Sequence, residues 1–166
     1  MNQGQATVAI EQELQQADAY LATGLTFEAA EIFARHRDST HSREAHMGLA
    51  TCAFLRRDLH EALGHLQIVA REDPEHPGLA NSFGAVYFGL GLMDQALEQF
   101  SRAVALEPED DAAWRNLAHL QHRTDDLEGC AASCRRLLEL APDDAQALEL
   151  LEAVNQMQSA PAASAG

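Results

Sequence analysis

The sequence contains no lysine, and all eleven of its basic residues are arginine. Against them stand 26 acidic residues, which gives a formal net charge of −15. A chain this acidic repels phosphate backbones and anionic lipid headgroups, so neither nucleic acid nor an acidic membrane is an expected partner. Part of the acid lies at expected helix starts, as at residues 107–111 and 143–144, where each carboxylate stabilises a helix by about 0.3–1 kcal/mol.

Aromatic residues and long apolar runs are also scarce. Aromatics make up 5% of the chain, and no alternating run of β-branched residues suggests a sheet. No apolar stretch reaches the length of a membrane span, and the first residues lack the basic region and apolar run of a secretion signal. The sequence therefore predicts an all-α, cytoplasmic protein without membrane insertion.

Catalytic motifs are missing as well. The chain has no nucleophile elbow, no phosphate-cradling glycine loop and no paired carboxylates beyond the helix starts. We expect a protein that is not an enzyme and that uses no cofactor.

What the chain does contain is a repeat. Pro74, Pro108 and Pro142 stand at intervals of 34 residues, and the same pattern of small and aromatic residues recurs around each. The clearest copy, residues 77–110, carries Phe83, Gly84, Tyr87, Gly91, Ala96, Phe100 and Ala103. Small side chains are needed where helices cross, and bulky ones fill the grooves between them. A period of this length indicates a solenoid of antiparallel helix pairs, each of which buries its apolar face against its neighbours.

These residues resemble the tetratricopeptide repeat over roughly residues 10–157. The resemblance implies a right-handed superhelical solenoid whose first helices, the A helices of each pair, line a concave groove for peptides or helices of partner proteins. We expect one domain, residues 1–157, made of about four repeats, a capping helix that packs through Leu148 and Leu151, and a disordered tail. The expected bounds are about 10–42, 43–76, 77–110 and 111–144 for the repeats, 145–157 for the cap and 158–166 for the tail.

The groove residues follow from the register of the A helices, because positions i, i+4 and i+7 form one stripe. The predicted groove residues are Thr51, Phe54, Asn81, Phe88, Arg115, Asn116, His119, His122 and Arg123. Phe54 and Phe88 would anchor an apolar segment, and the two asparagines would hold its backbone. Arg115 and His119 would take a carboxylate, since Arg–carboxylate contacts are charge-assisted. The alternative is a solvated face whose cations pair with carboxylates of neighbouring helices.

Histidine and cysteine raise the question of a metal site. His119, His122, Cys130 and Cys134 have the chemistry of a zinc set, but both cysteines fall at packing positions, where a free thiol behaves as a small hydrophobe. We expect no metal site. No disulfide is expected either, because Cys130 and Cys134 share a helix and Cys52 is distant in the chain. The other histidines lack ligand spacing and are expected at the surface or at helix ends: His36, His41, His46, His60, His65 and His76.

Three function classes remain. The first is an adaptor that binds a protein or peptide with an apolar segment and acidic groups. The second is a dedicated chaperone, because residues 47–52 resemble the Gly-Leu-x-x-Cys segment of bacterial type III secretion translocator chaperones. The third is a self-assembling subunit that forms a homo-oligomer through an apolar edge of the N-terminal repeat at Ala9, Ile10 and Leu14. The clamp with which some family members hold heat-shock chaperone tails relies on lysines, so that partner is not expected.

Overall fold

The computed structural model describes residues 3–76 and 78–159, which form nine helices and no strand. The helices are α1 (Gln3–Ala22), α2 (Thr26–His36), α3 (Ser42–Leu55), α4 (Leu59–Glu72), α5 (Leu79–Gly89), α6 (Met93–Leu106), α7 (Asp111–Arg123), α8 (Leu127–Leu140) and α9 (Ala145–Ser159). The all-α helical repeat predicted from the sequence is confirmed. None of these helices is both long enough and apolar enough to cross a membrane.

The contacts divide the chain into two compact units, Met1–Val86 and Tyr87–Gly166, called here the N-terminal and the C-terminal unit. In the N-terminal unit α1 packs on α2, α2 on α3 and α3 on α4. In the C-terminal unit α6 packs on α7, α7 on α8 and α8 on α9. Within each unit these helices therefore pack on their neighbours in sequence, as a repeat protein requires.

The turn inside each helix pair has the same backbone conformation. One residue per turn adopts a left-handed φ: 79° at Gly24, 68° at Arg57, 78° at Gly91 and 58° at Asp125. The residue after it donates its N–H to the carbonyl five positions earlier, as from Leu92 to Tyr87 over 2.9 Å, which is the Schellman closure of a helix end. Glycine adopts this conformation without strain, whereas a residue with a Cβ pays about 1–2 kcal/mol there. The repeat geometry therefore outweighs local preference at Arg57 and Asp125.

The core of the N-terminal unit combines small residues with one large ring. Ala17, Ala29 and Ala45 are fully buried, and Phe33 of α2 is 2% exposed. Phe33 faces Gly48 of α3 so closely that a Cβ at position 48 would lie within 3.0 Å of three of its ring carbons. Glycine at position 48 is thus what lets α3 approach the ring.

The C-terminal unit buries Phe100 of α6, and one of its core clusters contains the two cysteines of α8. Phe100 is 2% exposed, and Cys130 and Cys134 are fully buried. The expectation that these cysteines serve helix packing is confirmed. Trp114 of α7 is half-buried, and its indole N–H donates to the carbonyl of Pro108 over 3.0 Å.

The capping helix packs differently from the expectation. Ala147 and Val154 are buried and Leu151 is half-buried, but Leu148 is 50% exposed. The buried stripe thus runs through positions 147, 151 and 154, so Leu148 falls outside it and the prediction for Leu148 was wrong. Helix α9 continues to Ser159, which includes the first two residues of the expected tail, and residues 160–166 lie outside the described part of the chain.

The N-terminal repeat also differs from its expected form. Helix α1 begins at Gln3, so the first helix is longer than a repeat starting near residue 10 implies. Leu14 is 7% exposed and belongs to the same core cluster as Ala17 and Phe33, while Ile10 is half-buried and Ala9 is exposed. Leu14 is therefore a core residue, and its predicted place on an exposed apolar edge was wrong.

Candidate functional site

The predicted groove residues are distributed over both units. Thr51, Phe54 and Asn81 lie in the N-terminal unit, and the other six lie in the C-terminal unit. Asn81 and Asn116 are both half-buried. The two sets of residues are described separately.

An apolar pocket opens in the N-terminal unit between α3, α4 and α5. It has a cavity volume of about 80 Å³ and is lined by Ala50, Thr51, Phe54, Leu66, Ser82, Ala85 and Val86. Small-molecule sites begin at about 300 Å³, so this pocket has room for one side chain of a partner rather than for a whole cofactor. Thr51 and Phe54 are thus brought together, on the wall that α3 provides.

Two groups in this apolar pocket carry hydroxyls. Thr51 donates its hydroxyl proton to the carbonyl of Met47 in its own helix, over 3.0 Å. Ser82 of α5 was not predicted as a site residue. Its position, three residues before Ala85 on the same helix face, was the available signal. The lining is therefore mostly hydrocarbon, which suits an aliphatic or aromatic occupant.

Arg115 of α7 is held by two carboxylates of its own unit. Its Nη2 lies 2.7 Å from Oδ2 of Asp144 and 2.9 Å from Oδ2 of Asp111, and its Nε lies 3.1 Å from Asp144 Oδ2. The side chains of Arg115 and Asp144 are 29% and 11% exposed. This is the alternative considered above, in which the cation pairs with a neighbouring helix. The edge of the guanidinium formed by Nε and Nη2 is therefore already occupied by carboxylates of the protein.

Asp144 is also the N-cap of α9. Its Oδ1 accepts the N–H of Ala147 over 2.8 Å. The pKa of Asp144 is lowered, first by this backbone hydrogen bond and then by the hydrogen bond from Arg115. The pKa of Arg115 is raised in turn, mainly by Asp144. The pair therefore stays ionised and ties α7 to the start of α9.

Arg123 covers an aromatic ring. Its guanidinium carbon lies 5.1 Å from the ring centroid of Phe88, at the end of α5. Arg123 is exposed and Phe88 is half-buried. Such a cation–π contact contributes about 0.5–1 kcal/mol at an exposed site. An aromatic anchor and a cation are thus brought together here, although the ring face is occupied by Arg123.

The histidines of α7 face the capping helix. His119 and His122 line a shallow surface depression with Gln146, Glu149, Leu150 and Ala153 of α9. His119 is exposed, whereas the thiols of Cys130 and Cys134 are buried, and burial raises the pKa of Cys134 to about 12. Within residues 3–76 and 78–159 no three His, Cys, Asp or Glu side chains are placed to hold a metal ion. No three members of the suggested zinc set are therefore placed around a common ion.

Known proteins give the chain a clear place among helical repeats. The peptidyl-prolyl cis-trans isomerase FKBP42 of Arabidopsis thaliana is 28% identical over 111 residues, which cover 66% of this chain and 30% of that protein. The chain therefore spans less than a third of that relative.

Two solved structures are similar in fold. The first TPR of Spaghetti (RPAP3) bound to the HSP90 peptide SRMEEVD has a TM-score of 0.69 at 21% identity, over 74% of this chain and 97% of that one. MamA from Desulfovibrio magneticus RS-1, residue 41 to the end, has a TM-score of 0.73 at 19% identity, over 90% of this chain and 85% of that one. A sequence model described as the tetratricopeptide repeat matches residues 14–77 and 83–145, which is most of the chain. The chain belongs to the tetratricopeptide repeat family.

Proposed function

We propose that the protein is a non-enzymatic adaptor that holds a peptide or helix of a partner protein in the groove of its A helices. The observation that carries the proposal is the apolar pocket, because its walls include Thr51 and Phe54 of α3 and Ser82 and Ala85 of α5. These are the A helices of two successive repeats. A protein–protein role is also supported by family membership and by the related fold that binds a peptide in the Spaghetti structure.

The size and the lining of the apolar pocket predict which side chain of the partner would bind there. Its hydrocarbon lining and its cavity volume of about 80 Å³ suit one leucine, methionine or phenylalanine side chain. Phe54 is half-buried, so it keeps ring area that an occupant would cover.

The expected acidic groups of the partner would meet the basic side chains of α7. Arg115 is neutralised by Asp111 and Asp144, so the proposal assigns this role to Arg123, His119 and His122. Arg123 is exposed and makes its ring contact with Phe88, and a carboxylate approaching its edge would leave that contact in place.

The test compares peptides selected on the wild-type protein with peptides selected on a variant whose pocket is filled. A display library of random heptapeptides is selected on the wild-type protein and on Ala85→Leu, whose added carbons occupy the apolar pocket. Ala132→Leu is the matched control, because Ala132 is exposed on α8. We expect enriched peptides with one large apolar residue and at least one Asp or Glu. Their affinity should fall at least about tenfold for Ala85→Leu, which corresponds to about 1.4 kcal/mol, and stay unchanged for Ala132→Leu.

Two results would contradict the proposal. Equal binding to the wild type and to Ala85→Leu would place the ligand elsewhere, and the absence of any enriched peptide would remove the peptide-binding function. Binding of the peptide SRMEEVD to the protein is measured as a separate test. We expect weak binding, since this chain lacks the lysines on which the known clamp relies.

The chaperone alternative rests on a segment that lies inside the protein. Gly48, Leu49 and Cys52, which form the Gly-Leu-x-x-Cys segment, are all buried and serve helix packing. Helix packing within the repeat therefore explains this segment without a particular substrate.

One specific observation favours self-assembly as a second function. The first and the last helix expose large apolar residues, with Val8 of α1 51% exposed and Leu148 and Met157 of α9 each 50% exposed. A mass that rises with protein concentration, and that Leu148→Glu lowers to that of a single chain, would favour this second function. A mass that stays constant over the same range would exclude it.

A further inference from the structure

Two histidines meet inside the N-terminal unit. His46 of α3 and His65 of α4 place their Nδ1 atoms 2.9 Å apart, with ring centroids 5.1 Å apart and ring planes inclined by 36°. Both residues were expected at the surface or at helix ends. Instead His46 is 8% exposed and the side chain of His65 is 19% exposed.

The short distance between the two Nδ1 atoms fixes the number of protons. A neutral imidazole carries one N–H, so a hydrogen bond between two Nδ1 atoms needs one ring with a proton on Nδ1 and one ring with a bare Nδ1. His65 Nε2 lies 3.9 Å from Oε1 of Glu61. That carboxylate favours a proton on Nε2 of His65, which leaves Nδ1 of His65 bare. His46 is then the donor and His65 the acceptor.

The charged groups near the histidine pair lie on α4 and on the segments that precede and follow α3. Near His46 they are Glu72, Asp38 and Arg37, and near His65 they are Glu61, Arg37 and Arg56. The carboxylates favour a positive ring and the arginines oppose it. Burial is the largest influence on both histidines, and it lowers the pKa of each. Each ring also disfavours a charge on the other, which lowers the pKa of His65 further.

The pair can take up one extra proton, at the bare Nε2 of His46, and keep its hydrogen bond. Once both rings are imidazolium, two N–H groups face each other across the 2.9 Å gap and no acceptor lies between them. The rings must then separate, and they are attached to the two helices that pack on each other in this repeat. Close contact between the two rings and protonation of both of them therefore exclude one another.

We propose that His46 and His65 form an acid-sensitive latch between α3 and α4. The latch is closed while the two Nδ1 atoms share one proton in a hydrogen bond, and it opens when both rings are protonated. The repeat that contains it loosens in acid, while the C-terminal unit keeps its helices. This inference does not depend on the proposed peptide binding.

The direction of the pH effect follows from linkage. Both histidines have a lower pKa in the folded protein than the ordinary value of about 6.5 in an unfolded chain. The unfolded state therefore binds more protons in acid, and stability rises with pH in that window. The stability that the uncharged histidine pair contributes is complete above pH of about 6.5 and is lost as the pH falls towards the folded pKa values. Below those values stability no longer changes with the protonation of the pair. Each unit of pKa shift changes the folding equilibrium constant by about tenfold at the acid end.

The first experiment reads the protons directly. Long-range ¹H–¹⁵N spectra of the full chain distinguish protonated from bare ring nitrogens. At neutral pH we expect a protonated Nδ1 on His46, and a bare Nδ1 with a protonated Nε2 on His65. Both rings should titrate below the ordinary histidine value of about 6.5. Two rings that both carry the proton on Nε2, or that titrate at or above that value, would overturn the proposal.

The second experiment compares unfolding at several pH values. The double variant His46→Phe/His65→Phe keeps two rings at the contact but removes its protons, and His60→Gln removes an exposed histidine of the same helix. Between pH 7.5 and 5 the folding equilibrium constant of the wild type should fall more than that of the double variant. The excess should be about tenfold for each unit of combined pKa shift, and His60→Gln should behave as the wild type.

Hydrogen exchange localises the effect. In the wild type, acid should reduce amide protection in α3 and α4 before α7 and α8, once the intrinsic pH dependence of exchange is subtracted. Equal pH dependence in the wild type and the double variant, or a uniform loss of protection, would contradict the latch. If the double variant does not fold, the ¹⁵N titration of the wild type still decides the question.

Discussion

A pair of glycine substitutions tests the packing of the N-terminal unit with opposite expected signs. Gly48 and Gly64 lie in the middle of the 14-residue helices α3 and α4. A Cβ at Gly64 meets no atom within 4 Å, whereas a Cβ at Gly48 falls within 3.0 Å of three ring carbons of Phe33. Alanine stabilises a helix interior relative to glycine by about 0.8–1 kcal/mol at either position. The two variants therefore differ in the ring contact alone.

The size of that difference follows from overpacking. Phe33 is 2% exposed and cannot swing into solvent, so relief requires a shift of α2 against α3. Overpacking of this kind typically costs about 1–3 kcal/mol. We expect Gly64→Ala to raise the free energy of unfolding by about 0.8–1 kcal/mol. Gly48→Ala should lie about 1–3 kcal/mol below Gly64→Ala, which is about 2–4 °C in Tm for each kcal/mol.

Urea unfolding followed by far-UV circular dichroism measures both variants under the same conditions. A third variant, Gly48→Ala/Phe33→Leu, removes the ring and should make the alanine favourable again, which appears as a coupling free energy in a double-mutant cycle. If Gly48→Ala stabilises the protein as much as Gly64→Ala does, α3 does not approach Phe33 as described, and the reasoning is refuted.

Three further predictions concern the C-terminal unit. Asp144→Asn keeps a capping side chain but removes the charge that pairs with Arg115, so it should lower stability by about 0.5–1 kcal/mol. Because the pKa of Asp144 is lowered in the folded state, this difference should be complete above pH of about 4, vanish as the pH falls through the folded pKa, and appear in parallel urea titrations. Cys134, with its pKa raised to about 12, should not react with an aromatic disulfide reagent at mildly alkaline pH until the protein is unfolded, and a rapid reaction would show an open α8. Phe100→Ala should lower the free energy of unfolding by about 3–5 kcal/mol, and a loss below about 1 kcal/mol would mean that the ring is not a core residue.

The repeat period was enough to predict most of the fold. Spacing alone places Gly24, Arg57, Gly91 and Asp125 at equivalent turns, and the structure gives all of them a left-handed φ. It also places Cys130 and Cys134 at buried packing positions. These features are predictable because each depends only on neighbours within one repeat or on the next helix.

Contacts between distant side chains were harder to predict. Arg115 is 29 residues from Asp144, and His46 is 19 residues from His65, so no local pattern pairs them. A periodic stripe gives the face of a helix but not the partner that each side chain selects there. Leu148 shows the same limit, because a shift of one residue around α9 separates the buried stripe from the exposed one.

The single tryptophan gives the two units different optical signals. Trp114 lies in α7 with its indole N–H bound to the carbonyl of Pro108, so its emission reports the surroundings of the C-terminal unit. Circular dichroism, by contrast, averages over the helices of both units. Coincidence of the two unfolding curves would mean that the units melt together, and separate midpoints would give each unit its own free energy without any label or engineered probe.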